Sequence, residues 1–191
     1  MIFKHLVPRR ITEPWEVEVM RRIFNLTLAD LATRPLQPRD EHSQQRWWSA
    51  LDKTRTVAHL YSPIAMPWHF VAFSLVQWKD RGIATPMFAI HPDWQHRGYG
   101  REIIDHYLEV ANGPLAGSAL KSNAAIMHLN KRAGWQTVSE TETVAHLYHP
   151  GVPTQSDRSE ARQREIYEAI LDYHGIVTTT SVPATDVEVI E

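Results

Sequence analysis

The run MFAIHPDWQHRGYGREIIDHYL, residues 87–108, decides the fold. An apolar stretch stops at Pro92, Gly98 and Gly100 follow, and an amphipathic pattern begins. Ile103, Ile104, Tyr107, Leu108 and Ala111 share one helical face, which predicts a helix over about 99–111. A helix start carries N–H groups without intrahelical acceptors and the positive end of the helix dipole. Glycine lets the backbone approach a ligand and adopt positive φ. Together these make an anion cradle, to which His96, Arg97 and Arg101 add cationic donors. The run is not a Walker loop, because no Gly-Lys-Ser/Thr follows. Its glycine spacing also differs from a dinucleotide fingerprint.

Upstream, IATPMFAI (83–90) reads as the strand that delivers the turn. RTVAHLYS (55–62) and HFVAFSLVQW (69–78) read as a hairpin around PIAMP. MIFKHLV (1–7) alternates as a strand. A helix is predicted over about 14–28, capped by Thr12 with Pro14 in its first turn. EHSQQRWWSAL (41–51) is a second helix with Trp47, Trp48 and Leu51 on its apolar side. Downstream, LAGSAL (115–120) is a short strand. SNAAIMHLNKRAG (122–134) is a helix capped by Ser122 and stopped by Gly134. WQTVSETETVAHLYHP (135–150) is one long strand or two short ones. The order is β-α-α-β-β-β-α-β-α-β. Residues 1–150 form one domain, and 151–191 form a C-terminal extension with a helix over about 156–173 and then a tail.

Composition narrows the function. Net charge is −2, which gives no support for bulk binding to nucleic acid or an anionic membrane. No cysteine is present, so thiolate nucleophiles, thiolate metal sites and disulfides are excluded. No apolar run reaches the length of a membrane span, and the start lacks a signal-peptide core, so a cytoplasmic protein is expected. The spacing of His91, His96 and His106 matches no standard ligand motif, and no metal is expected.

The run from Phe88 to Gly100 closely resembles the acetyl-CoA-binding motif of the GCN5-related N-acetyltransferase (GNAT) family. In that motif an apolar strand end precedes Gln/Arg-x-x-Gly-x-Gly/Ala, and Gln95, Gly98 and Gly100 stand in its defining places. About 23 residues beyond Gly100, Asn123 opens a helical run that ends at Gly134-Trp135, similar to the family's second signature. The resemblance covers about residues 1–149 and is specific from 84 to 136. It implies an α/β (α+β) fold with a mixed, mostly antiparallel central sheet flanked by helices. It also implies acetyl-CoA as co-substrate. Backbone amides of His96, Arg97, Gly98, Tyr99, Gly100 and Arg101 then hold the pyrophosphate. Phe88, Ala89 and Ile90 pair with the pantetheine arm, and the Ile90 amide polarises the thioester carbonyl. Asn123 binds on the pantetheine side, and Lys131 and Arg132 meet CoA phosphates.

Family chemistry is attack of a neutral amine on the thioester. A free alkylamine has a pKa near about 10.4, so a base must take its proton. Many members protonate the departing thiolate with a tyrosine seven residues after the asparagine, and here that position is Asn130. An amide donates a hydrogen bond to sulfur but is not an acid. His128 lies roughly 200° round the helix from Asn130 and is expected to face away. His69 and His91, in or at the ends of central strands, are the candidate bases. Tyr99 and Tyr107 are expected to be structural. Trp47, Trp48 and Trp68 are candidate walls of the acceptor pocket. The expected function is acetyl transfer to a primary amine of a small molecule. The alternative, raised by Asn130, is a non-catalytic acyl-CoA-binding or regulatory module. Ile166, Ile170 and Tyr173 give the extension an apolar stripe, leaving packing on the domain, a homodimer or cover for the acceptor site open.

Overall fold

The computed structural model describes residues 4–31, 37–151 and 160–176. Among these, strands β1 (Leu6–Arg10), β2 (Thr56–Pro63), β3 (Ala72–Trp78), β4 (Ala84–Ile90), β5 (Leu115–Leu120), β6 (Gln136–Glu140) and β7 (Val144–His149) form one sheet. Its order is β1-β2-β3-β4-β5-β7-β6. Neighbours run antiparallel except β4 and β5, which are parallel. Helices α1 (Pro14–Leu26), α2 (Leu28–Leu31), α3 (Glu41–Ala50), α4 (Tyr99–Ala111), α5 (Ala124–Arg132) and α6 (Glu160–Tyr173) flank it. This is the expected mixed, mostly antiparallel α/β architecture. It adds the one-turn α2 and resolves 136–149 into two strands.

Strand alternation divides the core between two faces. Tyr61, Ala72, Val76, Ala84, Leu115 and Leu147 pack against Ile103, Ile104 and Tyr107 of α4. Ile103 and Ile104 are fully buried, each worth about 1.5–3 kcal/mol of apolar transfer. On the other face, Ala58, Leu60, Phe73, Leu75 and Ala89 meet Val17, Met20, Ile23 and Phe24 of α1, with Trp47 and Trp48 of α3 behind. Helix α6 continues that second layer: Ile166, Ala169 and Ile170 cover Ile83 and Ala116, with Val138 and Tyr148 alongside. Of the three roles left open for the extension, its described helix packs on the domain. The expected helix start at 156 and the tail beyond 176 lie outside the described residues.

Three local expectations change. β1 begins at Leu6 and runs through Pro8. It is an edge strand, paired only with β2, where a residue without an N–H is tolerated. Thr12 does not cap α1. The fully buried Glu16 carboxylate instead accepts from the amides of Thr12 (2.7 Å) and Glu13 (2.9 Å) and from Arg9 Nε. These hydrogen bonds outweigh the upward push of burial and hold its pKa below the usual carboxylate range. At α5 the cap is Asn123, not Ser122: its side chain accepts from the Ile126 amide at 3.1 Å. That helix ends as expected at Gly134 (φ 93), with Trp135 N–H donating to the Asn130 carbonyl and Gly134 N–H to that of Lys131.

Candidate functional site

Along one edge, β4 pairs with β3 from Ala84↔Trp78 to Ile90↔Ala72. Along the other, its only register pair with β5 is Ala84↔Leu115. Beyond that point the parallel strands part, and a cleft of about 790 Å³ opens between them. α4 and α5 supply its remaining walls.

The direction of the β4 amides follows from two hydrogen bonds. His91 N–H reaches back across β3 to the Val71 carbonyl at 2.8 Å, whereas Ala84 N–H points the other way, to the Pro114 carbonyl at 2.9 Å. Alternation then turns the amides of Phe88 and Ile90 into the cleft and those of Met87 and Ala89 towards β3. Pro86 shares the outward set but has no N–H to offer. The Ile90 carbonyl, also outward, accepts from Gln95 Nε2 at 3.2 Å. Gln95 therefore ties the turn to the strand end.

The turn itself alternates the sign of φ, with His96 at 60° and Gly98 at 84°. Such alternation curls successive N–H groups into a concave anion site. Gly98 is the N-cap of α4, so the amides of Tyr99 and Gly100 have no intrahelical acceptor. Arg101 N–H is engaged with the Gly98 carbonyl at 3.3 Å. A Cβ on Gly100 would stand 2.7 Å from Leu129 Cδ2, so the absence of a side chain there lets α5 close on the turn. Arg101 reinforces that closure by donating to the Arg132 carbonyl at 2.8 Å, while it pairs with Asp105. Arg97 lies over the Trp94 ring at 4.6 Å and donates to the Asp93 carbonyl.

Phe88, Ala89, Ile90, Gln95, His96, Gly98, Gly100, Arg101, Asn123 and Asn130 all line the cleft. Arg97, Tyr99 and Lys131 do not, whereas Arg132, expected beside Lys131, does. Tyr99 is buried against Trp94. Asn130 is 8% exposed. Neither candidate base reaches the cleft. His69 is exposed in the loop before β3, beside Trp94. His91 Nδ1 accepts from the Asp93 amide at 3.3 Å. Trp47 and Trp48 belong to the α1–α3 layer, and Trp68 is 79% exposed.

Among the lining residues that sequence reading missed are Tyr107, Ser118, His128 and Trp135. Tyr107 follows the apolar helical pattern, which hides its hydroxyl. Burial raises its pKa, so the phenol stays protonated. Gly117 leaves room for the Trp135 ring, which lies 3.4 Å from where a Cβ would be. His128 lines the outer rim although it is exposed. Ser118 carries no sequence signal of its own. Its partner, His146, is far away in the chain, with Nδ1 3.0 Å from Ser118 Oγ. Among the described residues no group of histidine and carboxylate side chains is placed to hold a metal ion, and no helix is long and apolar enough to cross a membrane.

No family model and no curated protein matches the chain by sequence. Solved structures match it by shape. Spermidine N-acetyltransferase from Vibrio cholerae, in complex with CoA and spermine, is 12% identical with a TM-score of 0.66, covering 76% of this chain and 95% of that one. A GNAT-superfamily phosphinothricin acetyltransferase from Sinorhizobium meliloti, in complex with acetyl-CoA, is 10% identical with a TM-score of 0.64, covering 78% and 94%. The ribosomal-protein-S18-alanine N-acetyltransferase of Escherichia coli is 16% identical with a TM-score of 0.60, covering 81% and 99%. With a seven-stranded sheet parted between β4 and β5 and these neighbours in shape, the chain has the fold of the GNAT superfamily.

Proposed function

We propose that the protein is an acetyl-CoA-dependent N-acetyltransferase acting on a primary amine of a small molecule. The observation that carries this reading is the parted edge of β4. It presents the N–H groups of Phe88 and Ile90 to a cleft that ends at the φ-alternating turn of residues 95–100.

The residues fit the co-substrate along its length. The amides of His96 to Gly100 suit a diphosphate, with Arg101 and Arg132 beside them. Ile90 N–H, next to the turn, suits an amide of the pantetheine arm as a neighbouring strand would. The arm lies between diphosphate and thioester, so Phe88 N–H, farther from the turn, rather than the expected Ile90 N–H, donates to the thioester carbonyl oxygen as negative charge develops there, an effect worth about 10²–10³ in rate for one well-aimed donor. Two neutral groups face the cleft as candidate donors to the departing sulfur, the Asn130 amide and the Tyr107 phenol. Asn123 spends its side-chain oxygen on the α5 cap, so we assign it first to holding the cleft wall. Residues 1–150 form the catalytic domain in this reading, and the helix of the 151–191 extension is part of its second layer.

The test has two parts. Titration calorimetry with acetyl-CoA measures binding. Thiol release with spermidine, phosphinothricin and an alanine-initiated peptide measures transfer. Binding with amine-dependent CoA release is expected. Binding without release for any of the three would favour the non-catalytic module, and absence of binding would overturn both readings.

A further inference from the structure

Resting on that reading, we propose that Ser118 and His146 form the proton relay that deprotonates the attacking amine. Ser118 lies on β5, three residues beyond the last pair with β4, level with Met87 across the parted strands. Alternation puts Gly117 and Ala119 on the α4–α5 face and Ser118 on the opposite one, shared with Ala116 and α6. Its side chain is exposed and lines the cleft. It therefore faces the opening through which a second substrate reaches a thioester laid along β4.

His146 is its direct cross-strand partner on β7, and Nδ1 lies 3.0 Å from Ser118 Oγ. With the proton of neutral His146 on Nε2, Nδ1 accepts from the serine hydroxyl, and the serine lone pairs remain for a donor in the cleft. His146 is half-buried, so its proton has a path to solvent. The ring is held from behind. His174, just past the end of α6, packs against it at a tilt with centroids 4.6 Å apart, and Tyr173 meets His174 edge-on at 5.0 Å. His174 bonds to the Leu147 backbone, and its buried Nε2 has no partner among the described residues. Burial, with His146 next to it, lowers the pKa of His174. From β6, Ser139 pairs opposite His146, and the Glu140–Lys121 ion pair lies one step along.

The step balances as follows. A bound ammonium gives one proton to Ser118 Oγ as the serine's own proton moves to His146 Nδ1, leaving a neutral amine and a charged imidazole. The amine lone pair forms the C–N bond at the thioester carbon, and the C–S bond breaks with its electron pair on sulfur. The departing sulfur takes the second nitrogen proton, and His146 releases the first to solvent.

The test uses the fastest amine of the panel named above, the full chain, and pH profiles of kcat/KM from about pH 5.5 to 9.5. Ser118→Ala and His146→Gln are each expected to lower kcat by about 10²-fold or more, the usual worth of general base catalysis. His146→Gln also removes the acidic limb of the profile. Ser118→Thr keeps a hydroxyl and is expected to stay within about tenfold of the parent. Calorimetric affinity for acetyl-CoA is expected to be unchanged in all three, which separates the relay from a folding defect. Variants that keep the parental rate and profile overturn the relay and leave the transferase intact. A parent protein that binds acetyl-CoA but shows no amine-dependent CoA release overturns the transferase and the relay together.

Discussion

The two edges of β4 are paired in opposite ways. Towards β3 the strand is paired from end to end, and towards β5 it is paired once, at Ala84. The paired edge is a structural seam. The free edge lies inside the sheet, walled by α4 and α5, and is not open to chance pairing as an outer edge is. In the proposed function, a strand that is half seam and half receptor would let a small domain bind an extended coenzyme arm with backbone alone. Side chains at 88 and 90 are then left to pack on α4 and α5.

Proline substitution separates the edges most strongly. Ala89→Pro removes an N–H that faces β3 and is expected to cost about 3 kcal/mol, read from the urea midpoint. Phe88→Pro removes an N–H that faces the cleft. It is expected to cost clearly less stability while lowering turnover by about 10²–10³-fold. Equal destabilisation by the two would erase the distinction between the edges.

A pair of glycines sharpens it next. Gly98 (φ 84) and Gly82 (φ 74) both adopt left-handed conformations with open space around them. An alanine at either carries about 1–2 kcal/mol of strain. Only at position 98 does relaxation of that strain spoil the anion site, so acetyl-CoA affinity should fall about tenfold in Gly98→Ala and stay unchanged in Gly82→Ala.

Acid probes a buried cluster behind the seam. His59 on β2 is held down to about 4 by burial first, with His106 and Arg10 adding to it. His106, against it at 4.6 Å, is also lowered, and the buried Tyr61 and Ser74 hydroxyls complete the cluster. A depressed histidine favours the neutral folded form. Its stabilisation is therefore complete above the unfolded value of about 6.5 and is lost as pH falls towards 4. Denaturation midpoints should drop through that window, and His59→Gln should flatten the drop. The smallest effect is expected for Gln95→Leu. Loss of its bond to the Ile90 carbonyl removes about 1 kcal/mol of turn anchoring, seen as a several-fold rise in the acetyl-CoA Kd.

Much of this arrangement is legible in the chain, because local rules and tertiary packing agree over residues 84–134. Alternation marks β4, paired glycines mark the turn, and Asn123 and Gly134 bracket α5. The parting of β4 from β5 is not legible, since a strand's alternation says which face is buried and nothing about how many partners it has. Pro86, an outward position without an N–H, is its one trace. Tryptophan type does not tell packing from exposure: Trp47 and Trp48 pack in the α1–α3 layer and Trp68 faces solvent. His69 looks like a strand residue and is a loop residue, because β3 starts only after the connection through Val71. The Ser118–His146 pair depends on register between β5 and β7, which sequence spacing does not carry.

Amide hydrogen exchange along β4, followed by NMR with and without acetyl-CoA, tests the central claim most directly. Met87 and Ala89 should be protected in both states, whereas Phe88 and Ile90 should exchange readily alone and become protected when acetyl-CoA is added. Uniform protection of all four amides in the free protein, or no change at Phe88 and Ile90 on saturation, would contradict the account.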